Sequence, residues 1–247
     1  MRGVMLGICP GATLVDITHE IAPQDVLGGA LELAASYKYF PQRTVFLCVV
    51  DPGVGSARRG LAAEAGGYQF VAPDNGLLTM VFREAAPAKV VELTDRRYAR
   101  PAISRTFEGR DRFAPAAAWL ASGVDITALG TPGTGWRVLE VPHPYADVDQ
   151  LVGVVLRIDR FGNLVSNLDR RGFEQFAHGN AVEIVVAGHP VQNVVATYTE
   201  AEDGSLCALF GSSDHLEVAA PGGNAAERLG VSRGAAVVVR LKADSTG

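Results

Sequence analysis

The stretch Val49-Val50-Asp51-Pro52-Gly53-Val54-Gly55-Ser56-Ala57-Arg58-Arg59 brings an acid and two arginines together around a glycine-rich loop. It follows an apolar, β-branched run, and the carboxyl ends of strands in α/β sheets are where ligands bind. Asp51 and Arg58 could orient a small polar reactant, or could close a tight turn as an ion pair. Dinucleotide binding is not indicated, because Arg58 stands where a third glycine would fall and no helical pattern opens behind the loop. Nor is a phosphate loop, since no Gly-Lys-Ser/Thr follows.

A second candidate is Thr106-Phe107-Glu108-Gly109-Arg110-Asp111. Asp111 reads as an acid at a helix start, where free N–H groups favour negative charge, while Glu108 lies just outside that helix. Asn75-Gly76, after an apolar run, predicts a hairpin-type turn. Further along, Asp159-Arg160-Phe161-Gly162-Asn163 sets an aromatic ring between polar groups, and Gly211-Ser212-Ser213-Asp214-His215-Leu216-Glu217 is similarly polar. Both patterns suit a ligand that needs one apolar face and a few orienting groups, and both suit a surface turn. The five histidines show no ligand spacing, so no metal is expected.

The elements that must carry these residues follow from the periodicity. Thr13–Ile17, Thr44–Val50, Tyr68–Ala72 and Lys89–Leu93 read as strands. Pro23 reads as the first position of a helix carrying Val26, Ala30, Leu33 and Tyr37. Arg112–Ser122 reads as another, with Gly123 as its left-handed cap. This alternation predicts an α/β domain with a largely parallel sheet over residues 1–137. A Gly/Pro-rich linker is expected at 138–149. Residues 150–247 read as a smaller β-rich, barrel-like domain with strands at Leu151–Ile158, Ala181–Ala187, Val194–Tyr198, Ser205–Phe210 and Ala235–Leu241, and one helix at Asn224–Leu229.

The chain has 247 residues and a net charge of −5. Without a Lys/Arg run, that balance argues against nucleic acid as a partner. Three scattered cysteines fit a reduced cytoplasm. No stretch reaches the ~18 consecutive apolar residues of a membrane span, and the start lacks a signal peptide's long apolar core. A cytoplasmic protein is expected.

Taken together, the motifs resemble the adenosine-forming S-adenosyl-L-methionine (SAM) hydrolases, relatives of the SAM-dependent fluorinase and chlorinase. The matching text is Asp16-Ile17-Thr18-His19-Glu20-Ile21-Ala22-Pro23-Gln24-Asp25, Val50-Asp51-Pro52-Gly53-Val54-Gly55, Pro73-Asp74-Asn75-Gly76, Thr106-Phe107 with Gly109-Arg110-Asp111, and Asp159-Arg160-Phe161-Gly162-Asn163. It runs in the family's order along nearly the whole chain.

The resemblance implies a homotrimer with active sites shared between subunits. The implied reaction is attack of water on C5′ of SAM, giving adenosine and L-methionine with no cofactor. It places Asp51, Arg58 and Glu108 around the water, with Glu108 where the family has a histidine. It places Asp159, Phe161, Asn163, Ser212, Ser213 and Glu217 on the substrate. Family members open with a strand and an Asp-Phe-Gly loop that holds the ribose, then a helix ending in text like Met1-Arg2-Gly3-Val4. That opening is not in this sequence, which implies either that the chain start has been placed too late or that the protein lacks one sheet strand and one ribose ligand. The alternative implied by this gap and by Glu108 is a SAM- or adenosine-binding homologue with weak or lost catalysis.

Overall fold

In the computed structural model, which describes residues 1–191, 193–202 and 204–242, the chain divides into two units, Met1–Glu140 and Val141–Gly247. The first is built on five strands, β1 (Val45–Leu47), β2 (Gly60–Ala65), β3 (Tyr68–Pro73), β4 (Pro87–Glu92) and β5 (Thr131–Pro132), in the order β1-β3-β2-β4-β5. Its helices are α1 (Arg2–Ile8), α2 (Val26–Ser36), α3 (Thr79–Glu84) and α4 (Ala114–Ala121).

The sheet is mixed, which corrects the expectation of a largely parallel one. Only β1 and β3 pair in parallel, while β2–β3, β2–β4 and β4–β5 are antiparallel. The reason is β2, which sequence periodicity does not reveal because Gly-Leu-Ala-Ala-Glu-Ala has little of the β-branched and aromatic character of a strand. Gly66 and Gly67, at φ of 58° and 84°, join β2 to β3 in a tight turn, and such a turn permits only antiparallel pairing.

Alternate residues of the central strands face two helical layers. Ala63 and Phe70 pack with Ala30 and Leu33 of α2 and Val81 of α3. Ala62 and Val71 pack with Phe113 and with Ala117 and Leu120 of α4. This period of two buries both faces of the sheet and holds its strand ends firmly.

Three local expectations change. Thr13–Ile17 forms no strand: β1 is hydrogen-bonded to β3 alone, and Val15 and Ile17 are exposed. A cavity of about 550 Å³ opens between the segment Ile17–Gln24 and the segment Leu47–Pro52, so the backbone of Thr13–Ile17 has no neighbouring strand to pair with. Helix α2 starts after Asp25, whose Oδ1 accepts from Gly28 N at 2.9 Å, and Pro23 lies before it. Asn75-Gly76 makes no hairpin, because β3 runs on into α3. The expected cap of α4 is present, with Gly123 at φ 97° and its N–H donated to Leu120 O.

The second unit contains β6 (Tyr145–Ala146), β7 (Gln150–Ile158), β8 (Leu164–Asp169), β9 (Val182–Val186), β10 (His189–Val191), β11 (Asn193–Val194), β12 (Cys207–Phe210), β13 (His215–Ala219) and β14 (Ala236–Leu241). Their order is β10-β9-β14-β7-β8-β13-β12-β11, with β6 on β7. The path's two ends, β10 and β11, are one residue apart in the chain, so the sheet curls nearly to closure. Leu164, Leu168, Ile184, Leu216 and Val239 fill its interior.

Helix α6 (Ala225–Leu229) matches the expected one, but α5 (Arg170–Ala177) is an addition. Its sequence, Arg-Arg-Gly-Phe-Glu-Gln-Phe-Ala, buries only Ala177 fully; its start is fixed by Asp169, which accepts from Gly172 N at 2.7 Å. The strand expected at Val194–Tyr198 stops at Val194, and Tyr198–Glu200 is a single 3-10 turn.

Candidate active site

The loop after β1 and the turn before α4 bring Asp51, Arg58 and Glu108 into one cluster. Arg58 Nε donates to Asp51 Oδ1 at 2.7 Å, and its Nη2 donates both to Asp51 Oδ2 and, at 2.6 Å, to Glu108 Oε2. One guanidinium therefore serves two carboxylates fifty residues apart in sequence. The three side chains are 5–13% exposed, so their attractions are little screened by solvent. The ring of Phe113 lies 4.9 Å from the Arg58 guanidinium carbon and gives the cation an aromatic floor. The Asp51–Arg58 ion pair thus exists, but it reaches across to a second acid and does more than close a turn.

Glu108 owes its position to a π-helical turn at Gly109–Phe113, a wider turn that often marks functional sites. Asp111, in that turn, is not a simple helix cap. It is fully buried and accepts from Arg110, Arg100 and the Ser104 backbone N–H. Its carboxyl is held far below the usual range, chiefly by Arg110. Asn75 bonds the end of β1's extension, donating from Nδ2 to Val50 O at 2.8 Å, and Arg59 pairs with Asp74 at 2.6 Å. Sequence reasoning did not assign Phe113 or Arg112 to the site, although Arg112 carried a signal in its i+4 spacing from Glu108, and it read Asp74 and Asn75, which stand in a matched motif, as part of a turn.

Gly55 is the tightest point of the loop. Its φ is +78°, and a Cβ there would meet Arg105 O at 2.4 Å. Gly55→Ala is expected to cost about 2–3 kcal/mol, a fall of roughly 4–10 °C in thermal midpoint. Thermal unfolding followed by circular dichroism checks this; an unchanged midpoint would show that the loop yields freely.

In the second unit the named residues form two groups. Asp159 Oδ1 accepts from Phe161 N at 2.8 Å and Asn163 N at 2.9 Å, and its Oδ2 accepts from Asn163 Nδ2 at 2.9 Å. Asp159 and Asn163 thus bind each other and shape the β7–β8 turn, while the Phe161 ring stays 75% exposed. Gly162 O accepts from Ala226 N, which braces this turn on the start of α6.

Along β12–β13, Ser212 is exposed, Ser213 Oγ is buried without a partner among the described residues, and Glu217 is buried. Glu217 accepts from Tyr198 Oη at 3.0 Å. Burial raises the Glu217 carboxyl, assisted by the charge of Asp159, and pushes the Tyr198 hydroxyl up to about 12. Tyr198 was not singled out from sequence. Among the described residues, no group of three or more His, Cys, Asp or Glu could hold a metal ion, and no helix is long and apolar enough to cross a membrane.

Residues 1–130 match the model of the SAM hydroxide adenosyltransferase N-terminal domain, and residues 153–238 match that of the corresponding C-terminal domain. The chain belongs to the SAM hydroxide adenosyltransferase family. Within it, the chain is similar to the (R)-S-adenosyl-L-methionine hydrolase of Salinispora tropica, 38% identical over 94% of this chain and 88% of the relative. It is 36% identical to the enzyme of the same name from Thermus thermophilus, over 95% of this chain and 90% of the relative. A crystal structure of an uncharacterized conserved protein from Thermotoga maritima superposes with a TM-score of 0.91 at 32% identity, covering 97% of this chain and 93% of that one. In this adenosyltransferase frame, the Asp51–Arg58–Glu108 cluster belongs to the matched N-terminal domain, and the Phe161 turn and Glu217 belong to the C-terminal one.

Proposed function

We propose that this chain hydrolyses SAM to adenosine and L-methionine, with Asp51, Arg58 and Glu108 around the attacking water. The observation that carries the reading is the shared Arg58 contact between two carboxylates in a chain of this family. Each carboxylate oxygen keeps a lone pair beyond its bond to Arg58 and can accept from water. The reaction needs little more than that. The water oxygen bonds to C5′, the C5′–S bond breaks with its electron pair going to sulfur, and the water's proton leaves through a carboxylate to solvent.

Because the sulfonium is already a good leaving group, no acid, metal or organic cofactor is required. Holding the water in line and excluding competing solvent supply the rate. In this reading the Phe161 ring stacks on the adenine. Asn163, Asp159, Ser212, Ser213 and Glu217 orient the polar groups. The assembly is a cytoplasmic homotrimer with active sites shared between subunits, which predicts a solution mass three times 26.0 kDa.

Incubation of the purified protein with SAM, followed by chromatography, is expected to give adenosine and methionine in equal amounts. No adenosine above an Asp51→Ala control would overturn the reading. Phe161→Ala is expected to raise KM about tenfold with kcat little changed, since stacking on a base is worth about 1–3 kcal/mol. Steady-state kinetics decide it, and an unaltered KM removes Phe161 from the substrate.

A further inference from the structure

Glu108 Oε2 is approached by two guanidinium groups. Arg58 Nη2 is 2.6 Å away and Arg112 Nη1 3.7 Å away. Arg112 stands four residues on, across the π-helical turn, and its side chain is 30% exposed, so it reaches the cluster from the outer surface. There it also lines a cavity of about 220 Å³ with Leu93, Thr94 and Asp95. Counting formal charges, Asp51 and Glu108 against Arg58 alone leave one surplus negative charge in a nearly dry site. Arg112 cancels it.

The two arginines divide the work. Arg58 has all three nitrogens engaged, Nε and Nη2 on the acids and Nη1 on Arg59 O. An outward swing of Glu108 would cost its bond to Nη2 while Asp51 and Arg59 O hold the guanidinium. Arg112 approaches the same carboxylate oxygen that Arg58 holds and opposes the repulsion that Asp51 exerts on Glu108.

We propose that Arg112 is a positioning residue that counter-charges Glu108 and holds it on Arg58, keeping both carboxylates turned toward the reacting water. This rests on the reading of the Asp51–Arg58–Glu108 cluster as the hydrolytic centre. Arg112 touches no reacting atom. Its loss acts through Glu108, so it lowers kcat more than it raises KM, and it matters only while residue 108 carries a charge.

The test compares the full-length protein with R112A, R112K, E108Q and the double variant R112A/E108Q, measuring kcat and KM for SAM and the thermal midpoint of each. R112A is expected to lower kcat about tenfold with KM within roughly twofold, and R112K to recover most of that loss. Added to E108Q, R112A is expected to change kcat less than about twofold. Independent, multiplying losses from R112A and E108Q would overturn the proposal, as would an R112A enzyme with unchanged kcat or failure of R112K to rescue. The midpoints read the same pairing without turnover: R112A is expected to lower the midpoint more in the native background than in E108Q. If the native protein makes no adenosine, the functional reading falls by itself, and equal midpoint losses in the two backgrounds then overturn the pairing.

Discussion

Asp51→Ala is expected to lower kcat for adenosine formation by about 10²- to 10⁴-fold, the range for removing a buried proton acceptor and its electrostatic field together. The size follows from how much rests on this carboxylate. It takes two of the three hydrogen bonds that Arg58 makes to acids, at a side chain only 5% exposed. Without it the guanidinium keeps Glu108 and the Arg59 carbonyl and is free to turn into the space left behind. In the proposed mechanism the water would then lose an acceptor and gain a mobile cation near C5′. Asp51→Asn removes the charge while keeping the shape and one acceptor oxygen, but it turns an amide N–H toward an Arg58 N–H, so it is expected to lose most of the rate, with circular dichroism checking that it still folds. Single-turnover formation of adenosine measures both variants. An Asn variant within threefold of the native rate would show that Asp51 serves structure alone and would move the acceptor role to Glu108.

Asp51, Arg58 and Glu108 stood out as charged residues beside glycines, and a glycine-rich loop after an apolar run is visible in one dimension, but grouping the three around a water came only from the family resemblance. Their contact was not legible, since Glu108 is fifty residues from Arg58 and meets it only because Gly109–Phe113 winds as a π turn. The strand β3 was found from its own composition, whereas β2 was missed because six residues containing three alanines carry no strand signal until Gly66-Gly67 folds them back on β3. The hairpin expected at Asn75-Gly76 failed for a related reason: Asn75 spends its side chain on Val50 O and Leu77 N, a tertiary use of a residue that turn statistics treat as local. Thr13–Ile17 has the composition of a strand, but a strand also needs a neighbour to bond, and composition says nothing about neighbours. In the second half, Asp159 and Asn163 were rightly read as polar groups around an exposed ring, yet much of their hydrogen-bonding capacity is used to shape that ring's turn.

The turn that carries Glu108 is itself held by Asp111, and Asp111→Ala is expected to destabilise the protein by about 2–4 kcal/mol. The carboxylate is fully buried and ties the loop at 100–104 to its own turn: Arg100, the Ser104 N–H and Arg110 all donate to it. Alanine leaves the Ser104 N–H without its acceptor and abandons the charge-assisted bonds. The two arginines are partly exposed and regain some solvation, which keeps the cost at the lower end for a buried ion pair. The pH dependence has a definite sign. Arg110, first among the causes, holds the folded carboxyl below the value of about 3.9 that it takes in the unfolded chain. Folding is therefore favoured by the ionised form, and this contribution is complete above about pH 4–5 and lost as pH falls through the folded value. Asp111→Asn, which cannot ionise, should lack that component. Urea unfolding at pH 7 and at pH 3 is expected to show a gap between native protein and Asp111→Asn that narrows on acidification, and a gap that stays constant would mean the stabilisation owes nothing to the charge. Because the same turn carries Glu108, the Asp111 variants should also lose adenosine formation at temperatures where they are still folded, which joins the stability of this one buried acid to the geometry of the site.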